Sequence, residues 1–86
     1  MVRVKFLGAI QLYAPRQDLW IQADDIEGLI DRIAGKYPEL SRVKLNRARV
    51  YLNGKNISGR RVFRCPLHNG DEVVFFSTPQ SPGHLV

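Results

Sequence analysis

The chain has 86 residues, 44% of them hydrophobic, a single cysteine (Cys65) and a net charge of +5. These values describe one small globular domain, too apolar to be disordered and without the paired cysteines of a disulfide-built scaffold. No apolar run approaches the roughly 20 residues that cross a bilayer, so a membrane partner is set aside and a cytoplasmic location is the expectation.

The opening segment alternates Val2, Val4 and Phe6 with Arg3 and Lys5. That is the two-residue period of a half-buried strand, not the continuous apolar core of a signal peptide. The strand ends at Gly8. After a loop around Ala14-Pro15-Arg16, a second strand from Asp18 to Ala23 sets Leu19 and Ile21 on one face and Trp20 and Gln22 on the other. The two strands read as a hairpin joined by a short loop, with Trp20 covering the edge of the sheet or helix, and an exposed partner anchor as its lesser reading. The period then changes: Ile26, Leu29, Ile30, Ile33 and Ala34 fall three and four apart, as on one face of a helix. Asp24 or Asp25 caps it, Glu27 sits in its first turn, and Lys36 and Pro38 mark its end.

A basic linker is expected through Arg47, followed by a third strand in which Val50 and Leu52 alternate with Arg49 and Tyr51. Asn53-Gly54 signals a tight turn. The segment from Asn56 to Leu67 is irregular, with Pro66 and Leu67 plugging the core, and Asn69-Gly70-Asp71 forms a second turn. Val73, Val74, Phe75 and Phe76 make the last strand. One helical stripe needs a sheet to lie against, and this order predicts an α+β fold of the β-grasp (ubiquitin-like) kind. It consists of a mixed sheet with one main helix packed on one face. Residues 1–78 form the domain, and 79–86 a flexible C-terminal tail, since prolines and small polar residues there support neither strand nor core.

Alternation assigns Val2, Val4, Phe6, Leu19, Ile21, Val50, Leu52, Val73 and Phe75 to the core face. The opposite face carries Arg3, Lys5, Leu7, Trp20, Arg49, Tyr51, Val74 and Phe76. Large apolar groups on a face that so short a chain cannot cover point to a partner, so Leu7, Tyr51, Val74, Phe76 and Arg49 are the candidate partner-binding residues. Much of the positive charge lies between Arg42 and Arg64, including Lys44, Arg47, Lys55, Arg60 and Arg61. It suits a solvated surface or an acidic partner protein. RNA is the weakest reading, because neither aromatic-flanked basic motifs nor a glycine-rich phosphate loop accompanies the charge. Cys65, His68 and His84 match no zinc spacing, and no acid completes a triad with them. Cys65 reads as a small core residue and His68 as solvated, while Asp24, Asp25, Glu27 and Asp31 read as helix acids. No catalytic, metal or cofactor-binding site is read from the sequence.

Pro66 to Phe76, "PLHNGDEVVFF", and Val50 to Ile57, "VYLNGKNI", carry a resemblance. The first is similar to the near-terminal motif of the sulfur-carrier proteins of the β-grasp superfamily. These include the molybdopterin synthase small subunit (MoaD) and the thiamine sulfur carrier (ThiS). The second resembles that family's Val-Asn-Gly hairpin. The opening strand and the helix come in the matching order, so the likeness spans about residues 2 to 78. It implies a carrier without enzymatic activity of its own. An adenylating (E1-like) enzyme charges its C-terminal carboxylate with ATP and magnesium, the carboxylate becomes a thiocarboxylate, and a partner such as the molybdopterin-synthase large subunit accepts the sulfur. The Phe75-Phe76 pair before a proline-containing tail resembles the molybdenum or tungsten pterin branch.

The family ends in Gly-Gly, a pair thin enough to thread a narrow channel. Here Ser81-Pro82-Gly83 occupies that place and His84-Leu85-Val86 comes after it. Three readings stay open. Removal of the residues after Gly83 exposes a glycine carboxylate; or the fold and docking face persist without sulfur transfer; or His84-Leu85-Val86 is an appended segment. The competing functions are a non-catalytic ubiquitin-like interaction module and, behind it, a basic RNA-binding β-grasp domain.

Overall fold

The computed structural model describes residues 1–57 and 64–78. Along the chain come β1 (Val2–Gly8), a 3₁₀ helix (Ala9–Tyr13), β2 (Leu19–Ile21), α1 (Ile26–Lys36), α2 (Arg42–Arg47), β3 (Arg49–Leu52), β4 (Lys55–Asn56) and β5 (Glu72–Ser77). The five strands form one sheet in the order β2-β1-β5-β3-β4. β1 and β5 run parallel, and the other pairs are antiparallel. This is the mixed β-grasp sheet expected from the sequence.

The sheet buries one face, and alternation selects it. Val2, Val4, Phe6, Leu19, Val50, Val73 and Phe75 are buried, while Ile21 and Leu52 pack against them half-buried. Ile26, Leu29, Ile30 and Ile33 of α1 supply the opposing stripe, and each is fully shielded. The rings of Phe6 and Phe75 stack at 5.8 Å between centroids in the parallel register that pairs them. Each such side chain removed from water contributes roughly 1.5–3 kcal/mol. Asp25, not Asp24, caps α1: its Oδ1 accepts the Gly28 N–H at 2.7 Å. Of the expected Pro66-Leu67 plug, Leu67 alone enters the core, and Pro66 is exposed. Leu67 is buried and its N–H donates to the Asp24 carbonyl at 2.8 Å, while Ile26 N–H donates to the Cys65 carbonyl at 3.2 Å.

Three expectations need correction. The hairpin connection is not a short loop; it runs from Ala9 to Asp18 and opens with the 3₁₀ helix, which buries Ile10. The segment expected as a basic linker contains α2, capped by Ser41 Oγ accepting the Lys44 N–H and anchored by fully buried Leu45. A helix of six residues with one buried side chain displays no apolar period, so the sequence had nothing to show. Trp20 does not cover the helix; on the edge strand β2 it stands 58% exposed on the outer face, as its lesser reading had it, with the Arg3 guanidinium 5.9 Å from its ring centroid.

Asn53 (φ 52°) and Gly54 (φ 84°) form the two-residue turn between β3 and β4, both in the left-handed region such a hairpin demands. No helix of the described residues is long and apolar enough to cross a membrane.

Candidate functional site: the open sheet face and the start of the tail

Register arranges the outer face in rows. Leu7, Phe76 and Arg49 lie side by side across β1, β5 and β3, and Lys5, Val74 and Tyr51 form the next row. The third row holds Trp20, Arg3 and Glu72. Leu7, Tyr51, Val74 and Phe76 thus meet in one shallow apolar concavity closed at the hairpin end by Gly54. Leu7 is 45% exposed and the other three are half-buried by one another. The third row is ionic: Arg3 donates to Asp18 Oδ2 through Nε at 2.8 Å and Nη2 at 2.6 Å, and Lys5 Nζ of the second row lies 3.5 Å from its Glu72. The face is therefore polarised, with paired charges at one end and apolar side chains at the other. The C-terminal tail begins at the apolar end, since Phe76 is followed by Ser77 and Thr78.

Gly8 fits this end tightly. It sits at φ 76° and ψ −151°, a conformation essentially reserved for glycine. A Cβ at Gly8 would lie 2.0 Å from the Ser77 carbonyl oxygen and 3.2 Å from the Phe76 ring. β1 can thus approach the last residue of β5 only because Gly8 has no side chain. A glycine directly after the apolar alternation is the available signal, although alternation alone reads it only as a strand end.

The family model described as ThiS family matches residues 4–80. The chain belongs to the ThiS family. Among solved structures it is similar to a chain of the protein–protein complex of subunits 1 and 2 of molybdopterin-converting factor from Helicobacter pylori 26695. The TM-score is 0.65 at 24% identity, over 93% of this chain and 96% of that one. It is also similar to SAMP1 from Haloferax volcanii, with a TM-score of 0.67 at 17% identity over 95% of this chain and 98% of that one. At those identities the two structures speak for the fold alone, the β-grasp arrangement described above. No curated protein sequence matches the chain.

In this ThiS-family chain the five residues expected to bind a partner, Leu7, Arg49, Tyr51, Val74 and Phe76, occupy two adjacent rows. Gly83 and His84, with the rest of the tail from 79 onward, lie outside the described residues, as do Arg60 and Arg61. Cys65 is half-buried against the core, and the His68 side chain is 79% exposed. Among the described residues no three His, Cys, Asp or Glu side chains gather as a metal site. At the pole opposite the tail, Asp71 accepts hydrogen bonds from the His68 backbone N–H at 2.8 Å and from Asn53 Nδ2 at 3.1 Å. First the His68 bond and then that of Asn53 hold its carboxyl below the usual carboxylate range, since both favour the ionised form. Asn53 also accepts from Glu72 N–H at 2.9 Å, so this cluster ties the β3–β4 turn to the start of β5.

Proposed function

We propose that the chain is a carrier that docks its open sheet face on partner enzymes and presents its C-terminal tail to their active sites. The carried group is sulfur, held as a terminal thiocarboxylate, and the pathway is molybdenum or tungsten pterin cofactor synthesis. The chain itself is not the enzyme. An adenylating enzyme charges it, and a protein of the molybdopterin-synthase large-subunit kind receives the sulfur. One observation carries this reading: the apolar concavity of Leu7, Tyr51, Val74 and Phe76 adjoins the point where β5 becomes the tail. A partner seated on that surface has the tail delivered to it by the same strand that supplies the anchor Phe76. Membership of the ThiS family supports the chemistry, and so does the complex between the two subunits of the Helicobacter pylori factor.

Pro82 has a locked φ and no N–H, so Pro82-Gly83 is a stiffer end than a diglycine. Three forms of the protein test the chemistry: the full chain, a form ending at Gly83, and a form rebuilt to end in Gly-Gly at positions 82 and 83. Each is incubated with the adenylating enzyme of the same organism, ATP, magnesium and a sulfur donor, and its intact mass is measured. The expected order of conversion from carboxylate to thiocarboxylate is the Gly-Gly form first, the Gly83 form weakly, and the full chain not at all. Conversion of the full chain overturns the glycine requirement. An inert Gly-Gly form overturns sulfur carriage and leaves a protein-interaction module.

A further inference from the structure

The start of the tail adjoins positive charge with which no carboxylate of the described residues forms an ion pair. Arg47 and Arg49 line a concavity of about 160 Å³ together with Phe76, Ser77 and Thr78. Lys44 and Arg47 line a second, adjoining one with Tyr13, Leu12 and the same Ser77 and Thr78. Lys44 is held there by its bond to the Glu39 carbonyl at 2.9 Å and by the Tyr13 ring, whose centroid lies 3.7 Å from Nζ. Neither contact cancels its charge.

All eight carboxylate side chains of the sequence belong to described residues, and none of them lines either concavity. Asp18 and Glu72 serve Arg3 and Lys5 at the far end of the face, and Asp31 pairs with Arg42. Asp71 lies in the turn cluster at the opposite pole. Asp24, Asp25 and Glu27 stand at the start of α1. Glu39 precedes α2 and bonds Lys44 through its backbone carbonyl, not through its carboxylate. Among the described residues Arg47 and Arg49 have no carboxylate partner, whereas Arg3, Lys5 and Arg42 do.

We infer that Lys44, Arg47 and Arg49 form a cationic collar around the start of the tail that receives the acidic rim of a partner protein's active-site mouth. The inference rests on the proposed docking of the open face and adds the chemistry of the partner's surface. A cleft that admits the tail has Ser77 and Thr78 at its mouth, so its rim faces the collar and Phe76 together. Carboxylates on that rim relieve the mutual repulsion of three clustered cations, and complementary fields speed and orient encounter. A protein fits better than a nucleic acid, because the collar continues into aliphatic Leu7 and Val74, which offer nothing to a phosphate backbone.

Stopped-flow association with the adenylating enzyme and the synthase large subunit of the same organism tests the collar. The proteins compared are the parent, Arg47→Gln/Arg49→Gln, Arg47→Lys/Arg49→Lys and Phe76→Ala, at about 0.05 M and about 0.5 M salt. The glutamine variant should associate about tenfold more slowly at low salt, and the difference should vanish at high salt. The lysine variant keeps the charge and should behave like the parent. Phe76→Ala should instead dissociate faster at both salt concentrations. If the glutamine variant matches the parent while Phe76→Ala is weakened, the collar is overturned and apolar docking stands. A lysine variant as slow as the glutamine one also overturns it, since charge is then not the cause. If Phe76→Ala matches the parent, the docking reading itself fails, and absence of association by the parent with either enzyme overturns both. A labelled oligouridine is the last arm. Binding by the parent tighter than about 10⁻⁶ M, lost in the glutamine variant whose protein association is unchanged, assigns the collar to RNA instead.

Discussion

Phe75 and Phe76 are adjacent in sequence and opposite in task. Phe75 is completely buried against Phe6 and the helix, whereas Phe76 lies half-buried on the outer face beside Leu7 and Arg49. The strand's two-residue period alone separates them. Truncation should expose the difference. Phe75→Ala leaves a cavity in a closed core and should cost about 3–5 kcal/mol. Phe76→Ala removes a side chain already partly in water and should cost about 1 kcal/mol. Urea unfolding of the two variants measures both, and equal losses would mean that Phe76 serves the core and not a partner.

At the level of elements, the parallel pair β1–β5 both centres the sheet and launches the tail. Its register runs from Arg3↔Glu72 to Gly8↔Ser77, so the last matched pair is also the last paired position before the tail. Gly8→Ala should cost about 3 kcal/mol or more, combining backbone strain with a Cβ 2.0 Å from the Ser77 carbonyl. Gly54→Ala is the internal comparison. Gly54 also has a positive φ of 84°, but a Cβ there meets nothing within 4 Å, so strain alone should cost about 1 kcal/mol. Chemical denaturation ranks the two, and a Gly8→Ala protein as stable as Gly54→Ala would show that the β1–β5 junction relaxes freely. Hydrogen exchange at the Leu7 and Ser77 amides should rise in the Gly8 variant if the end of the pair opens.

Across the whole molecule, the pole opposite the tail is closed by polar groups. The Asn53–Asp71–His68 cluster joins the β3–β4 turn to β5, Gly70 N–H donates to the Met1 carbonyl at 2.9 Å, and the N-terminal ammonium donates to Asn69 Oδ1. These contacts make the stability pH-dependent. The Asp71 carboxyl is depressed in the folded protein, so the native state binds its proton less readily than the unfolded chain does. Its contribution is fully present above the unfolded value of about 3.9 and is lost as pH falls through the lower folded value. The parent should therefore lose stability on acidification below about pH 4 more steeply than Asp71→Asn, which has no proton to take up there. Urea midpoints at pH 6, 4 and 3 (roughly bracketing the carboxylate range) check this, and parallel curves for the two proteins would remove Asp71 from the account.

The sequence by itself determined which side of each main strand faces the core. The alternation of Val2-Val4-Phe6 and Val73-Phe75, and the spacing of Ile26, Leu29, Ile30 and Ile33, are local patterns that burial confirms residue by residue. Motif resemblance carried the family, because turn residues such as Asn53-Gly54 and Gly70 are chosen by local backbone geometry. What only the tertiary structure decided depends on groups far apart in the chain. Leu7 and Phe76 become neighbours through parallel pairing of the first and last strands, which no local pattern encodes. Leu40 and Leu45 are fully buried although too sparse to show a period. Gly8 must be glycine because of Ser77, and the unbalanced charge at the tail emerges only when α2 and β3 bring Lys44, Arg47 and Arg49 around it. Periodicity reports on which face of an element is buried, whereas a docking site depends on which elements the sheet order places side by side.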